Sequence, residues 1–252
     1  MGDTPAFTDM ERAAVLEVRG KLLARGLAPM ELGERELICI TLNAKCRVDE
    51  AVAKFCTYRD NLLREFGVES VWENQEECEL MWHKYLVGGL DEAGRQVMWI
   101  DGGGTEEAEE RATIHASCLY FFAVHADLHT LREGVTLAID TSNVPKRRVG
   151  NERRLQVAWQ NFPSRPQHIF ILGAGPLKRI AINAVIAFAS LFAKNKVIAR
   201  IRFASVADVE KVCGRGALPE KHGGPPSPPV SDWVKARLAN FPLMALPPLD
   251  QL

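Results

Sequence analysis

Apolar positions recur along the chain with two different periods, and the change comes near residue 90. Before it the spacing is helical. Ala13, Ala14, Leu16, Val18, Leu22 and Leu23 share one face of a helix predicted over 9–30. Residues 34–66 predict two more helices: the run Leu37–Leu42, then a break at Lys45–Val48, then Glu50–Leu63 with Asp49 as its cap. Residues 74–86 predict a fourth. Beyond them Gly88–Gly94 reads as a turn. Short apolar runs bounded by Gly or Asp then read as strands, at Arg95–Asp101, Gly134–Asp140, Gln167–Leu172 and Val197–Phe203. Helices are predicted over 105–129, 151–161, 177–193 and 206–212. The chain closes with the turn Leu218–Gly224, a hinge of Pro225, Pro226, Pro228 and Pro229, and a short helix from Ser231. Strands alternating with helices predict an α/β fold: a mostly parallel, twisted sheet with flanking helices, preceded by a small all-helical N-terminal region. The expected division is 1–75 (helical region), 76–224 (α/β domain) and 225–252 (Pro-rich hinge and short helix).

Composition removes whole classes. With 47% hydrophobic and 25% charged residues over 252 positions, a disordered chain, collagen and a coiled-coil rod are excluded. The net charge of −1 hides an asymmetry. Val144–Arg202 holds twelve Lys or Arg against Glu152 alone, a net +11, and the remaining 193 residues carry −12. The first ten residues lack an apolar core, which predicts no secretory leader. The longest mostly apolar run, Ile180–Ala193, is shorter than the roughly 20 residues of a membrane span. Six cysteines without a C-x-x-C pair read as reduced core residues of a cytoplasmic protein.

The candidate chemistry is sparse. Gly173-Ala174-Gly175-Pro176-Leu177-Lys178 stands between a strand and a helix, as a dinucleotide fingerprint would, but Lys178 takes the third glycine position. It reads as a tight turn. His125 and His129 are spaced i, i+4 on the predicted helix 105–129, a spacing that can hold a metal. Ala126 stands where a His-Glu-x-x-His motif has its Glu, and Cys118 lies too far along the helix to join. Helix-end histidines without a metal are the expectation, and no catalytic constellation, cofactor or metal site is expected. The basic run Lys146–Arg154 reads as a solvated face or a membrane-surface patch, without the aromatic interleaving of a nucleic-acid reader. The segment 177–193 is apolar nearly all round, which taken alone reads as a buried helix.

Several segments, in order, resemble the CRAL-TRIO lipid-binding family of phosphatidylinositol/phosphatidylcholine transfer, tocopherol transfer and retinaldehyde-binding proteins. Leu37–Phe55, with its turn Cys46–Ala51, is similar to the family's leading helices. Asp91–Val97 resembles D-x-x-G-R-P-V, with Gln96 for Pro. Val135–Asp140 resembles the strand ending in Asp, and Phe162-Pro163 with His168–Ala174 resembles Y-P-E-R and the strand after it. Lys196–Phe203 resembles K-x-x-x-x-I-x-F, and Leu218–Gly224 resembles L-P-x-x-(Y/F)-G-G. Ser164 replaces the acidic residue of Y-P-E-R, and Val135 stands where phosphatidylinositol binders carry a hydroxyl.

The resemblance implies a sheet and helices enclosing an apolar cavity, closed by a mobile gate helix. On that basis Trp99, Phe121, Leu137, Ile139, Phe170 and Leu172 are the expected cavity wall. Ile182, Ile186, Phe188 and Phe192 are the expected gate. Lys178, Arg179, Lys194, Lys196 and Arg200 are expected to meet a headgroup or an anionic membrane surface. The implied function is non-enzymatic: one lipid or other hydrophobic small molecule is held in the cavity and exchanged during transient contact with membranes. Nucleic acid is not an expected partner. Two alternatives stand beside it. One is a non-transferring adaptor that binds a partner protein through the hinge and the Trp233 helix. The other is a nucleotide-dependent enzyme built on Gly173–Lys178.

Overall fold

The computed structural model describes residues 6–101, 110–142, 161–176 and 198–247. Helix α1 (Asp9–Ala24) opens with a capping box. Thr8 accepts from the Glu11 N–H at 3.2 Å, and Glu11 Oε2 accepts from the Thr8 N–H at 2.8 Å. It ends earlier than the predicted residue 30, because Gly26 turns the chain with a φ of 87°. Helices α2 (Glu34–Asn43) and α3 (Val48–Tyr58) meet at the expected break, where Lys45 and Cys46 adopt positive φ. Asp49 does not cap: α3 starts one residue before it, and its carboxylate pairs instead with Lys21 at 2.9 Å. Residues Gln75–Lys84 form 3-10 turns.

Gly88 and Gly89, expected in a turn, lie inside strand β1 (Tyr85–Leu90), and the turn itself is Asp91–Arg95. Strands β2 (Gln96–Asp101), β3 (Val135–Asp140), β4 (Pro166–Leu172) and β5 (Ile201–Phe203) follow, with β5 shorter than predicted. The sheet order is β1-β2-β3-β4-β5, with β1 antiparallel at one edge and the others parallel. The helix expected over 105–129 is two helices among the described residues, α4 (Glu110–Val124) and α5 (Leu128–Glu133). They separate because Asp127 caps α5, its side chain accepting from the Thr130 N–H at 2.7 Å. Helices α6 (Val206–Cys213) and α7 (Val230–Ala239) complete the order. The predicted helices 151–161 and 177–193 lie outside the described residues.

Among the described residues two apolar cores flank the sheet. The larger joins α1, α2, α3 and α4 to Met98 and Val135 of the sheet, with Ile100 and Leu137 packed against it. It also takes in Val234, Leu238, Phe241 and Met244 from the C-terminal segment. The smaller core, on the opposite face, gathers Val97, Trp99, Ala138, Phe170 and Leu172 under Val209 and Cys213 of α6 and the turn residues Ala217 and Leu218. Tyr120 of α4 ties helix to sheet: its hydroxyl donates to Leu86 O at 2.7 Å and accepts from the Trp99 N–H at 3.0 Å. All six cysteines are free thiols, four of them buried. Among the described residues no helix is long and apolar enough to cross a membrane.

Candidate functional site

Parallel register decides which side chains share a face, since paired residues point the same way and neighbours along a strand alternate. Met98 pairs with Leu137, Leu137 with Ile169, and Ile169 with Ile201. Ile100 pairs with Ile139, Ile139 with Ile171, and Ile171 with Phe203. This face of the sheet is therefore aliphatic and aromatic from β2 to the β5 edge. Its β2 end is closed by α4 and the helical core. Ile139, Ile169, Ile171 and Ile201 belong to neither of the two cores among the described residues. Ile169 and Ile171 are buried, and Ile139 and Ile201 are half-buried.

The six expected wall residues do not converge on this face. Leu137 and Ile139 lie on it. Trp99, Phe170 and Leu172 point to the other side, where α6 and the Leu218 turn already cover them. Phe121 lies in the helical core, its ring 5.7 Å from Phe162. The six are thus divided among three environments. Helical spacing and strand alternation place each residue on its own element, but relative facing between strands follows from register, which local pattern does not encode. Alternation along Ile201-Arg202-Phe203 is the signal that places Ile201 and Phe203 on the same face of β5.

The two ends of the sheet differ chemically. At the carboxyl ends, Asp101 and Asp140 are register partners, and Lys221 of the C-terminal turn forms ion pairs with both, its Nζ 3.4 Å from Asp140 Oδ2. His222 Nε2 lies 3.2 Å from the same oxygen, off the hydrogen-bond direction, and the imidazole lies over Trp99 with centroids 5.2 Å apart. Burial pushes the Asp140 carboxyl up. The hydrogen bonds from Ser142 and the Lys221 ammonium outweigh it and hold the group below the ordinary carboxylate range. Burial disfavours the Lys221 charge, but the two carboxylates raise its pKa overall. The turn Leu218–Gly224 is thereby pinned to the strand ends. Neither Lys221 nor His222 was singled out from sequence. Two strands each closing on Asp were the available sign of a cation between them.

Arg200, the expected headgroup residue, lies at the opposite, amino end, where its guanidinium donates to Pro166 O and braces β4 against the start of β5. His168 lies beside it on β4. Burial lowers the His168 pKa, and Arg95 and Arg202 push in the same direction. The expected gate residues Ile182, Ile186, Phe188 and Phe192, and the cations Lys178, Arg179, Lys194 and Lys196, lie outside the described residues.

The turn after β4 fits its reading as a tight turn. Gly173 has a φ of 67°, and a Cβ there would lie 2.1 Å from Ser142 Oγ, so the space beside its backbone is filled by Ser142. The histidine pair does not share a helix. His125 is buried past the end of α4, its Nδ1 2.8 Å from Phe121 O, and burial pushes its pKa down to about 4. His129 is exposed on α5 with Nε2 2.7 Å from Ala93 O. Among the described residues no group of three or more His, Cys, Asp or Glu is placed to hold a metal ion. The Trp233 helix is docked on its own chain. Trp233 lies over Tyr120, and Arg237 bonds Asp127 at 2.7 Å and Ala123 O at 3.0 Å.

No protein-family model and no curated protein sequence matches the chain.

Proposed function

We propose that this protein binds one hydrophobic lipid molecule against the aliphatic wall of β3–β5 and exchanges it with membranes, as a peripheral protein of the cytoplasm. The observation that carries this reading is the wall itself. Ile139, Ile169, Ile171 and Ile201 form a continuous apolar surface that, among the described residues, neither core absorbs. Hydrocarbon laid on such a surface gains about 0.8 kcal/mol per buried CH₂, so an acyl or isoprenoid tail needs few polar contacts to bind tightly. The stretch 177–193, which links β4 to β5, is apolar nearly all round in sequence. In this reading it is the cover that moves aside. The basic residues around it suit an anionic bilayer, each contributing about 1 kcal/mol near the surface.

Ile139→Trp tests the site, because an indole on β3 would occupy the space above the wall. Purified protein should carry a co-extracted lipid by mass spectrometry and take up a fluorescent phosphatidylcholine. Uptake should fall roughly 10- to 100-fold in Ile139→Trp, the loss expected from a few displaced CH₂ contacts, while the circular dichroism spectrum is kept. Absence of both bound lipid and uptake in the unaltered protein would overturn the reading.

A further inference from the structure

The hinge between the Leu218 turn and α7 reads Pro225-Pro226-Ser227-Pro228-Pro229. The four prolines are exposed, and the segment has no regular secondary structure. Pro229 has φ −51° and ψ 144°, close to the extended polyproline conformation. Such a segment can be threaded into an enzyme cleft without first unfolding a helix or strand. Ser227 is held only by its backbone, its N–H donating to Glu220 Oε2 at 3.3 Å. Its hydroxyl makes no hydrogen bond among the described residues. Ser227 and Lys221 line one open groove of about 580 Å³, together with Leu86, Val87 and Glu220.

We infer that Ser227 is a phosphorylation site for a proline-directed protein kinase, and that its phosphate competes with Asp101 and Asp140 for Lys221. In the transfer, Ser227 Oγ attacks the γ-phosphorus of ATP. The new Oγ–P bond forms as the bond from that phosphorus to the β,γ-bridging oxygen breaks. ADP departs, and the hydroxyl proton passes to the kinase's catalytic carboxylate. The product carries about −1.5 to −2 charges at neutral pH. Glu220, which now brackets Ser227, would repel it. Lys221 is the cation sharing the groove. The N-terminus of α7, which has no side-chain cap and carries the positive end of the helix dipole, lies three residues on. Drawing Lys221 away leaves Asp140, whose side chain is 2% exposed, with Ser142 and the poorly aligned His222 among the described residues. The Leu218–Gly224 turn then loosens from the strand ends. This inference does not depend on the lipid reading.

The test uses the full chain with ATP and a proline-directed kinase. One phosphate should be incorporated by intact mass, located at Ser227 by fragmentation, and absent from Ser227→Ala. Hydrogen exchange of residues 218–224 should then speed up by about threefold or more. In Lys221→Met the same phosphate should produce little further change, because the turn has already lost the contact. Failure of the folded chain to accept phosphate, while a synthetic 223–231 peptide accepts it, would show the hinge to be closed to the enzyme and overturn the site. Phosphorylation that leaves the exchange of 218–224 unchanged would overturn the competition for Lys221.

Discussion

Glu36 stands in the first turn of α2 with its carboxyl enclosed by the helical core. Trp72 Nε1 donates to its Oε1 at 2.7 Å, whereas Oε2 has no hydrogen-bond partner among the described residues. Gly33 makes room for it, since a Cβ there would lie 2.0 Å from Oε2. Burial drives its pKa up from 4.5 to about 7, against the opposing pull of the Trp72 bond and Arg35. The folded state therefore holds a proton that the unfolded chain releases near its ordinary value. This contribution to stability is complete below pH 4.5 and is lost as pH rises through about 7, by roughly 3 kcal/mol. Glu36→Gln should abolish that loss. Thermal melts from pH 5 to 8.5 should show the unaltered protein falling below the variant by roughly 5–10 °C at the alkaline end. Parallel curves would mean that the carboxyl ionises freely in the fold. Nothing in the local pattern marks Glu36, because a Glu at the start of a helix reads as a dipole partner. Its enclosure comes from Trp72, 36 positions away. His125 and His129 show the same limit, since their i, i+4 spacing is sound only while one helix runs through both.

At the scale of elements, the parts read well from sequence are those whose periodicity and stop signals agree. Helices α2 and α3 and strands β2, β3 and β4 fall within a few residues of expectation for that reason. Strand β1 was missed because it contains Gly88 and Gly89, which locally signal a turn. Its glycines answer a tertiary demand. A Cβ on Gly89 would lie 2.1 Å from Gly216 O, and one on Gly88 would lie 2.4 Å from Trp99 Cδ1 and 2.8 Å from Ala217 O. The backbone of the C-terminal turn therefore rests directly on β1. Gly89→Ala should destabilise the fold by about 2–4 kcal/mol, because the obstacle is main chain and cannot rotate away. Gly20, in the interior of α1 with open space around it, is the matched control. Gly20→Ala should stabilise by roughly 0.5–1 kcal/mol in urea melts. Equal effects at the two positions would show that β1 does not need the close approach.

At the scale of the whole molecule, chain ends that look separable in sequence are built into one core. The hinge prolines suggest a boundary at 225, yet Val234, Leu238, Phe241 and Met244 are buried in the cluster that joins α1, α2, α3 and α4. Polar contacts fasten the same segment to the helical region. Arg12 donates to Met244 O at 3.0 Å, Arg19 donates to Pro247 O at 2.6 Å, and the Met244 N–H donates to Glu34 Oε1 at 2.6 Å. The sequence carries this docking only as scattered apolar residues in a Pro-rich tail, too short and irregular for a period to emerge. Fully burying four such side chains contributes roughly 6–12 kcal/mol, comparable to the whole stability of an ordinary domain of about 5–15 kcal/mol. A chain ending at Pro229 should therefore lose cooperative unfolding and bind a hydrophobic dye, although every strand of the sheet and the proposed lipid wall are still encoded in it. A truncated chain that melts cooperatively within a few degrees of the intact protein would show the tail to be an appendage. Lipid uptake by that chain would then separate the wall's function from the strap that crosses the helices behind it.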